Sequence, residues 1–181
     1  GGGEAHIVAP KRLAADRALD LCATCHTRRF AIADGFRPGD RLADFYAPEL
    51  LVSEEAYHAD GQIRGETYEY GSFLQSRMYA KGVRCSDCHE PHSGSVRQKG
   101  NGLCLTCHKP ELDAPSHHFH TAGSAGAACV GCHMPETTYM QRDPRRDHSF
   151  SVPSPQTTIH WGVPNACNRC HADKSAEEMA G

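Results

Sequence analysis

Every cysteine in the chain belongs to one of five pentapeptides of identical grammar, and this limits the fold more than any other feature. The pairs are Cys22/Cys25 in CATCH, Cys85/Cys88 in CSDCH, Cys104/Cys107 in CLTCH, Cys129/Cys132 in CVGCH and Cys167/Cys170 in CNRCH, which accounts for all 10 cysteines of the sequence. A histidine follows each second cysteine at once: His26, His89, His108, His133 and His171. With 13 histidines in 181 residues, chance would place His at all five positions in about two sequences per million, so the pentapeptide is the unit that carries meaning.

C-x-x-C-H is the attachment signal for c-type haem. Two thiols add across the porphyrin vinyl groups, and the adjacent imidazole reaches the iron as proximal ligand. Other uses of paired cysteines fit worse. A disulfide framework has no need of five adjacent histidines. The separation of Cys85/Cys88 from Cys104/Cys107 is ribbon-like for zinc, but five knuckles cannot pair off. A thioredoxin-like role needs one C-x-x-C in a βαβ setting, which the sequence lacks. The expected cofactors are therefore five covalent haem c groups.

This reading accounts for the composition. The chain is 39% hydrophobic and 7% aromatic, with 17 Gly, 11 Pro and a mean hydropathy of −0.57, too little for an ordinary apolar core. The porphyrins are expected to be the core. The fold expected is mainly α with extensive irregular loops, the polypeptide wrapped around closely packed haems, with little or no sheet. Five haems bring ten propionates to a chain of formal charge −3, and Arg28, Arg29, Arg84, Arg145 and Arg146 are natural partners for them.

The sequence contains no run of the roughly 18 apolar residues that a membrane span needs. Its pI near 6.5 and lack of a Lys/Arg run argue against nucleic acid as partner. It opens on Gly rather than on an apolar signal sequence, which reads as a processed product. Haem c is attached and used outside the cytoplasm, so the expected compartment is periplasmic or extracellular.

Residues 1–181 read as a single pentahaem domain: a first haem helix to residue 31, a motif-free loop and helix over 32–84, and a four-haem region over 85–181. Pro10 opens a helix leading into the first site. Ser72 with Gln75 forms a capping box for the helix before the second site, and Gly82 stops it. The stretch 134–164 reads as an extended wrapping loop, with at most a small hairpin in the chain. Asn165 is expected to cap a last helix holding the fifth site.

Eight histidines lie outside the pentapeptides: His6, His58, His92, His117, His118, His120, His148 and His160. In a haem-dense chain they are the supply of sixth ligands. His92, three residues beyond His89, would share a helical turn with it. His117 and His120 have the same spacing, while His118 points elsewhere.

The runs YHADGQIRGETYEYGSFLQSRMYAKGVRCSDCHEPHSG, HHFH, CVGCHMPETTYM, RRDHSF and GVPNACNRCHADKSA resemble the C-terminal haem region of large multihaem cytochromes c of the cytochrome c-554/hydroxylamine oxidoreductase kind, often joined to tetratricopeptide repeats. The resemblance covers nearly the whole chain. It implies distal ligation by His92, by His120 or His117, and by His148. GGGEAHIV resembles the segment after a further haem motif, which implies His6 as a distal ligand and haem domains upstream. His58 completes that set of five, and His160 has no counterpart.

Closely spaced haems with two histidine ligands hand electrons on without needing a substrate. Electron transfer is the leading expectation, to other redox proteins or to copies of the same chain. A head-to-tail contact that does not close would make an extracellular cytochrome filament. The alternative is a nitrite or hydroxylamine oxidoreductase with one open haem. Against it, all five motifs end in His where pentahaem nitrite reductases carry one Lys, and Tyr139 is the sole tyrosine just past a motif that could mimic the tyrosine of hydroxylamine oxidoreductases.

Overall fold

A computed structural model describes residues 7–181; His6 lies outside the described residues. The chain consists of short helices joined by irregular segments, with two small antiparallel two-stranded sheets. This is the mainly helical, loop-rich architecture expected. The longest described helix, α1 (Ala15–Ala23), has 9 residues and buries Ala18, Leu19 and Ala23. Helices this short are marginal by propensity alone, so tertiary ties must hold them.

After α1 come β1 (Arg29–Ala31) and β2 (Tyr46–Pro48), which pair with each other. Then α2 (Glu69–Leu74), α3 (Arg77–Ala80), α4 (Cys85–Cys88), α5 (Gly102–Leu105), α6 (Pro115–His118) and α7 (Cys129–His133) follow. A hairpin of β3 (Glu136–Tyr139) and β4 (Asp143–Arg146) turns through Met140 and Gln141, both left-handed at φ 49 and 63. The chain ends with α8 (Pro155–Trp161) and α9 (Ala176–Ala180).

Several boundaries differ from the sequence expectation. The stretch 134–164 is more than a loop, since it holds both the hairpin and α8. Its start and stop signals are local: Ser154 accepts from the Thr157 N–H, Pro155 opens the first turn, and Gly162 ends it at φ +66. Lack of apolar periodicity hid them. Ser72 is not a cap but a buried residue inside α2, whose hydroxyl accepts the His148 N–H at 3.3 Å. Ser76 caps α3 instead, and Gly82 stops that helix as expected, at φ +81. Asn165 accepts from the Asn168 N–H at 3.1 Å and caps only the turn Cys167–Arg169. The last helix, α9, has its own capping box of Ser175 and Glu178.

The side-chain core is small. Ala56, Tyr57, Ile63 and Tyr139 form one buried cluster, and the largest side chains under 2% exposed are Leu42, Thr67 and Ser72. Two of those three are polar, so side chains alone supply little apolar mass. Polar ties do much of the joining. The buried Asp147 carboxylate accepts from the Ile63 N–H at 2.8 Å and the Ser149 N–H at 2.7 Å, fastening the segment after β4 to residues 56–63.

Removing this carboxylate strands two backbone donors. Asp147→Ala is expected to cost about 3 kcal/mol of stability, read as a lower urea midpoint by far-ultraviolet circular dichroism, with Asp147→Asn costing less because its amide oxygen still accepts.

Candidate functional site

One helical turn closes each pentapeptide. The histidine N–H returns to the carbonyl of the first cysteine at 3.0 Å for His26, 2.8 Å for His89, 2.9 Å for His108 and 2.9 Å for His171, and the fifth turn, Cys129–His133, is α7 itself. An i to i−4 closure puts the first thiol and the imidazole on one face. This is the physical reason for the C-x-x-C-H spacing.

The pentapeptides are neighbours in sequence order. Cys85 of the second motif lowers Cys22 to about 7, and Cys22 in turn raises Cys85. Cys88 is raised by burial, then by Asp87 and by Cys107 of the third motif. Burial first, then Cys129 of the fourth motif, raise Cys104 to about 11. Cys132 is raised by burial and then by Cys167, Cys129 and Cys170, two of which belong to the fifth motif. Each of these pairs joins one motif to the next in chain order.

The ten thiols are not equally enclosed. Cys25, Cys107 and Cys170, the second cysteines of the first, third and fifth motifs, are exposed, whereas the other seven are half-buried. The reason is where each helical segment ends. Cys25 lies beyond the last residue of α1, Cys107 beyond α5, and Cys170 beyond the turn Cys167–Arg169. Cys88 and Cys132 are instead held inside α4 and α7. What touches two of the exposed sulfurs is the preceding residue alone: the Thr24 hydroxyl donates to Cys25 Sγ at 3.9 Å and the Thr106 hydroxyl to Cys107 Sγ at 3.7 Å.

Three motif histidines face a second imidazole. His89 stacks towards His148 with ring centroids 6.3 Å apart and an interplanar angle of 29°. His133 faces His117 at 6.2 Å and 14°, and His171 faces His120 at 6.0 Å and 30°. These gaps lie within the range of ordinary aromatic pairs and also equal the spacing that a metal between two imidazoles would impose. Two metal–nitrogen bonds of about 2 Å, plus roughly 1 Å from each nitrogen to its ring centre, separate the centroids by about 6 Å.

Hydrogen bonds orient the rings as ligands. Metal-bound imidazoles donate their other N–H to a carbonyl or carboxylate. Nδ1 of His133 donates to the Ser151 carbonyl at 2.9 Å, and Nδ1 of His148 to the Arg146 carbonyl at 2.9 Å. The His120 Nδ1 donates to the His118 carbonyl. Each leaves an Nε2 lone pair for a metal. His26 differs: its Nδ1 meets a carboxylate, Glu69 Oε2, at 3.2 Å. Burial and the neighbouring His148 hold the His89 imidazole below its usual value, keeping it neutral and able to ligate.

His118 behaves in the opposite way. Its Nδ1 accepts the His120 N–H at 3.2 Å, so Nε2 carries the proton and cannot ligate. That Nε2 is buried without a partner, as are Arg29 Nε and Ser149 Oγ. All three lie within three residues of a motif histidine or of an imidazole that faces one, and unpaired buried donors cost roughly 1–3 kcal/mol each. Haem propionates are acceptors of the right kind. The ring gaps, the free Nε2 atoms and these donors together fit haem.

The remaining expected residues are dispersed. His92 is exposed and does not share a helical turn with His89, because α4 stops at His89 and the Glu90 carboxylate caps the His92 and Ser93 N–H groups. His117 and His120 both face motif histidines although one helix cannot hold both, because Phe119 turns left-handed at φ 60 after α6. That reversal was invisible in the spacing. His108 and His160 are exposed, and His58 lines a separate cavity. Most of the arginines are tied into the wrapping: Arg145 pairs with Asp143 at 2.6 Å and lies 4.7 Å over the Tyr68 ring, Arg146 pairs with Glu136 at 3.5 Å, and Arg28 pairs with Glu49 at 3.5 Å. Arg84 donates to the Pro10 carbonyl at 3.3 Å.

Residues 78–113, which hold the second and third pentapeptides, match the family model described as a doubled CXXCH motif. No curated protein matches the chain by sequence. Among solved structures, the fold is similar to that of outer cell wall cytochrome OcwA, with a TM-score of 0.59 at 18% identity over 86% of this chain and 49% of that one. The chain spans about half the length of that cytochrome, and at this identity the likeness is one of fold. The doubled motif and the fold are those of a multihaem c-type cytochrome, whose cofactor is covalent haem c with iron.

The carboxylate on His26 makes a prediction. An anionic acceptor raises the basicity of its imidazole and favours ferric over ferrous iron. Glu69→Gln is expected to raise the midpoint potential of one haem and leave the others in place, as measured by protein-film voltammetry, with Glu69→Asp retaining most of the effect.

Proposed function

We propose that the chain transfers electrons through five covalently bound haems ligated mainly by two histidines each, outside the cytoplasm. The observation that carries this reading is the set of facing imidazoles at 6.0 to 6.3 Å. Bound haem supplies one-electron exchange between ferric and ferrous iron. The ten cysteines fix the macrocycles, and His26, His89, His108, His133 and His171 serve as proximal ligands. His148, His117 and His120 take the sixth positions opposite His89, His133 and His171. His92 and the other histidines outside these pairs are the candidates for the two remaining sixth positions.

Six-coordination by strong-field imidazoles leaves no open position for a substrate, which favours conduction over catalysis. The row of motifs in chain order gives the electrons a path from the first pentapeptide to the fifth. Redox proteins or further copies of the chain are the partners, and repetition head to tail would make a filament. The fold neighbour is an outer cell wall cytochrome, which supports a place outside the cytoplasm.

Pyridine haemochrome on the purified protein is expected to give five haems per chain. The reduced protein should show no carbon monoxide shift. His148→Ala, His117→Ala and His120→Ala should each convert one haem to a high-spin, carbon monoxide-binding form, whereas unchanged low-spin spectra in all three would remove the ligand assignment.

A further inference from the structure

The His120 ring, which faces His171, is bracketed on two edges. On one, Nδ1 donates to the His118 carbonyl. On the other lies Gly126, inside the tight turn Ala125–Ala127. A Cβ built on Gly126 would stand 2.6 Å from His120 Cγ and 2.8 Å from Nε2, whereas carbon atoms pack best at about 3.5–4.0 Å. The imidazole occupies the space that a side chain at residue 126 would need.

Backbone conformation does not account for a glycine here. The φ of Gly126 is not positive, so alanine could adopt the same turn. Crowding is not general in this stretch either, since a Cβ on Gly131 would make only an ordinary contact of 3.8 Å with the Ala125 carbonyl oxygen. The turn has no room to retreat. Ala127 is buried, its carbonyl accepts from Asn101 Nδ2 at 2.9 Å, and Asn101 Oδ1 accepts the Cys129 N–H at 2.9 Å. The same Asn101 amide donates to the Asp113 carboxylate at 2.6 Å, just before the segment that carries His117 and His120. A side chain at residue 126 would therefore act on the ring, which can yield only by giving up its bond to His118 and its alignment with His171 at 6.0 Å and 30°.

We infer that Gly126 is a positioning residue for His120: its missing side chain lets the imidazole face His171, and a larger residue turns the ring away. The proposal rests on the reading of His120 as sixth ligand to the fifth haem. It gives that ligand an unusual support, because Asn101 fastens the turn to the start of α5, which carries Cys104, and the turn runs directly into Cys129. The ligand of the fifth haem is thus aimed by chain that belongs to the third and fourth anchors, as outer groups aim the ligands of other metal sites.

The test uses the fully loaded protein, with haem content fixed first by pyridine haemochrome. Electron paramagnetic resonance and carbon monoxide difference spectra are then compared for wild type, Gly126→Ala, Gly126→Val, His120→Ala and the two double variants. Gly126→Ala is expected to move one low-spin signal, and Gly126→Val to make that same haem high-spin and carbon monoxide-binding. Neither should change the spectrum further in the His120→Ala background, because residues in contact are not additive and the ring has left the space. A Gly126 variant that loads haem poorly by itself but as well as His120→Ala in the double variant supports the same relief. Unchanged spectra in both Gly126 variants, with His120→Ala giving one high-spin haem, overturn the proposal alone. Spectral changes or haem loss that persist undiminished in the His120→Ala background also overturn it, since the glycine then serves the fold at large. If His120→Ala leaves every haem low-spin, the ligand reading itself has failed and the positioning role falls with it.

Discussion

The gap between facing imidazoles is the constraint on which the rest of the structure depends. Each pair joins segments far apart in the chain: His89 to His148, His133 to His117, and His171 to His120. Helices of four to nine residues could not hold those rings in place by themselves. The irregular segments do so by presenting backbone carbonyls. Ser151, Arg146 and His118 each take an imidazole Nδ1–H, which turns the opposite nitrogen towards the shared axis. What looks like loop in the sequence is the frame that aims the ligands.

The same logic explains why the apolar core is so slight. Ala56, Tyr57, Ile63 and Tyr139 pack one corner, and Asp147 and Ser72 stitch other segments through backbone N–H groups. Buried donors at Arg29, His118 and Ser149 remain beside the ligand rings. In an ordinary domain such atoms would be a defect. Such donors are of the kind that a propionate would satisfy.

The electrostatics distinguish the ends of the row. At the first motif, Glu69 places a carboxylate on the His26 ring, whereas the rings at the second, fourth and fifth positions lean on neutral carbonyls. An ionised acceptor stabilises the ferric state more than a carbonyl does.

The pentapeptides were legible from the sequence because their chemistry is local: one i to i−4 turn brings thiol and imidazole together, whatever surrounds it. Fold class was legible for a related reason, since a composition too poor in apolar residues needs another core. His148 and the HHFH cluster were recognisable as ligand candidates by type. Which imidazole faces which was not, because it depends on reversals such as the left-handed Phe119 and on tertiary bonds such as Ser72 to His148. Five identical motifs likewise gave no sign that Cys25, Cys107 and Cys170 would be exposed while Cys88 and Cys132 are not, since that turns on where each helical segment stops. The carboxylate on His26 and the place of His58 apart from the motif histidines were also decided only by tertiary structure. Local spacing specifies a bond within one turn, but the partner across a metal is chosen by the path of the whole chain.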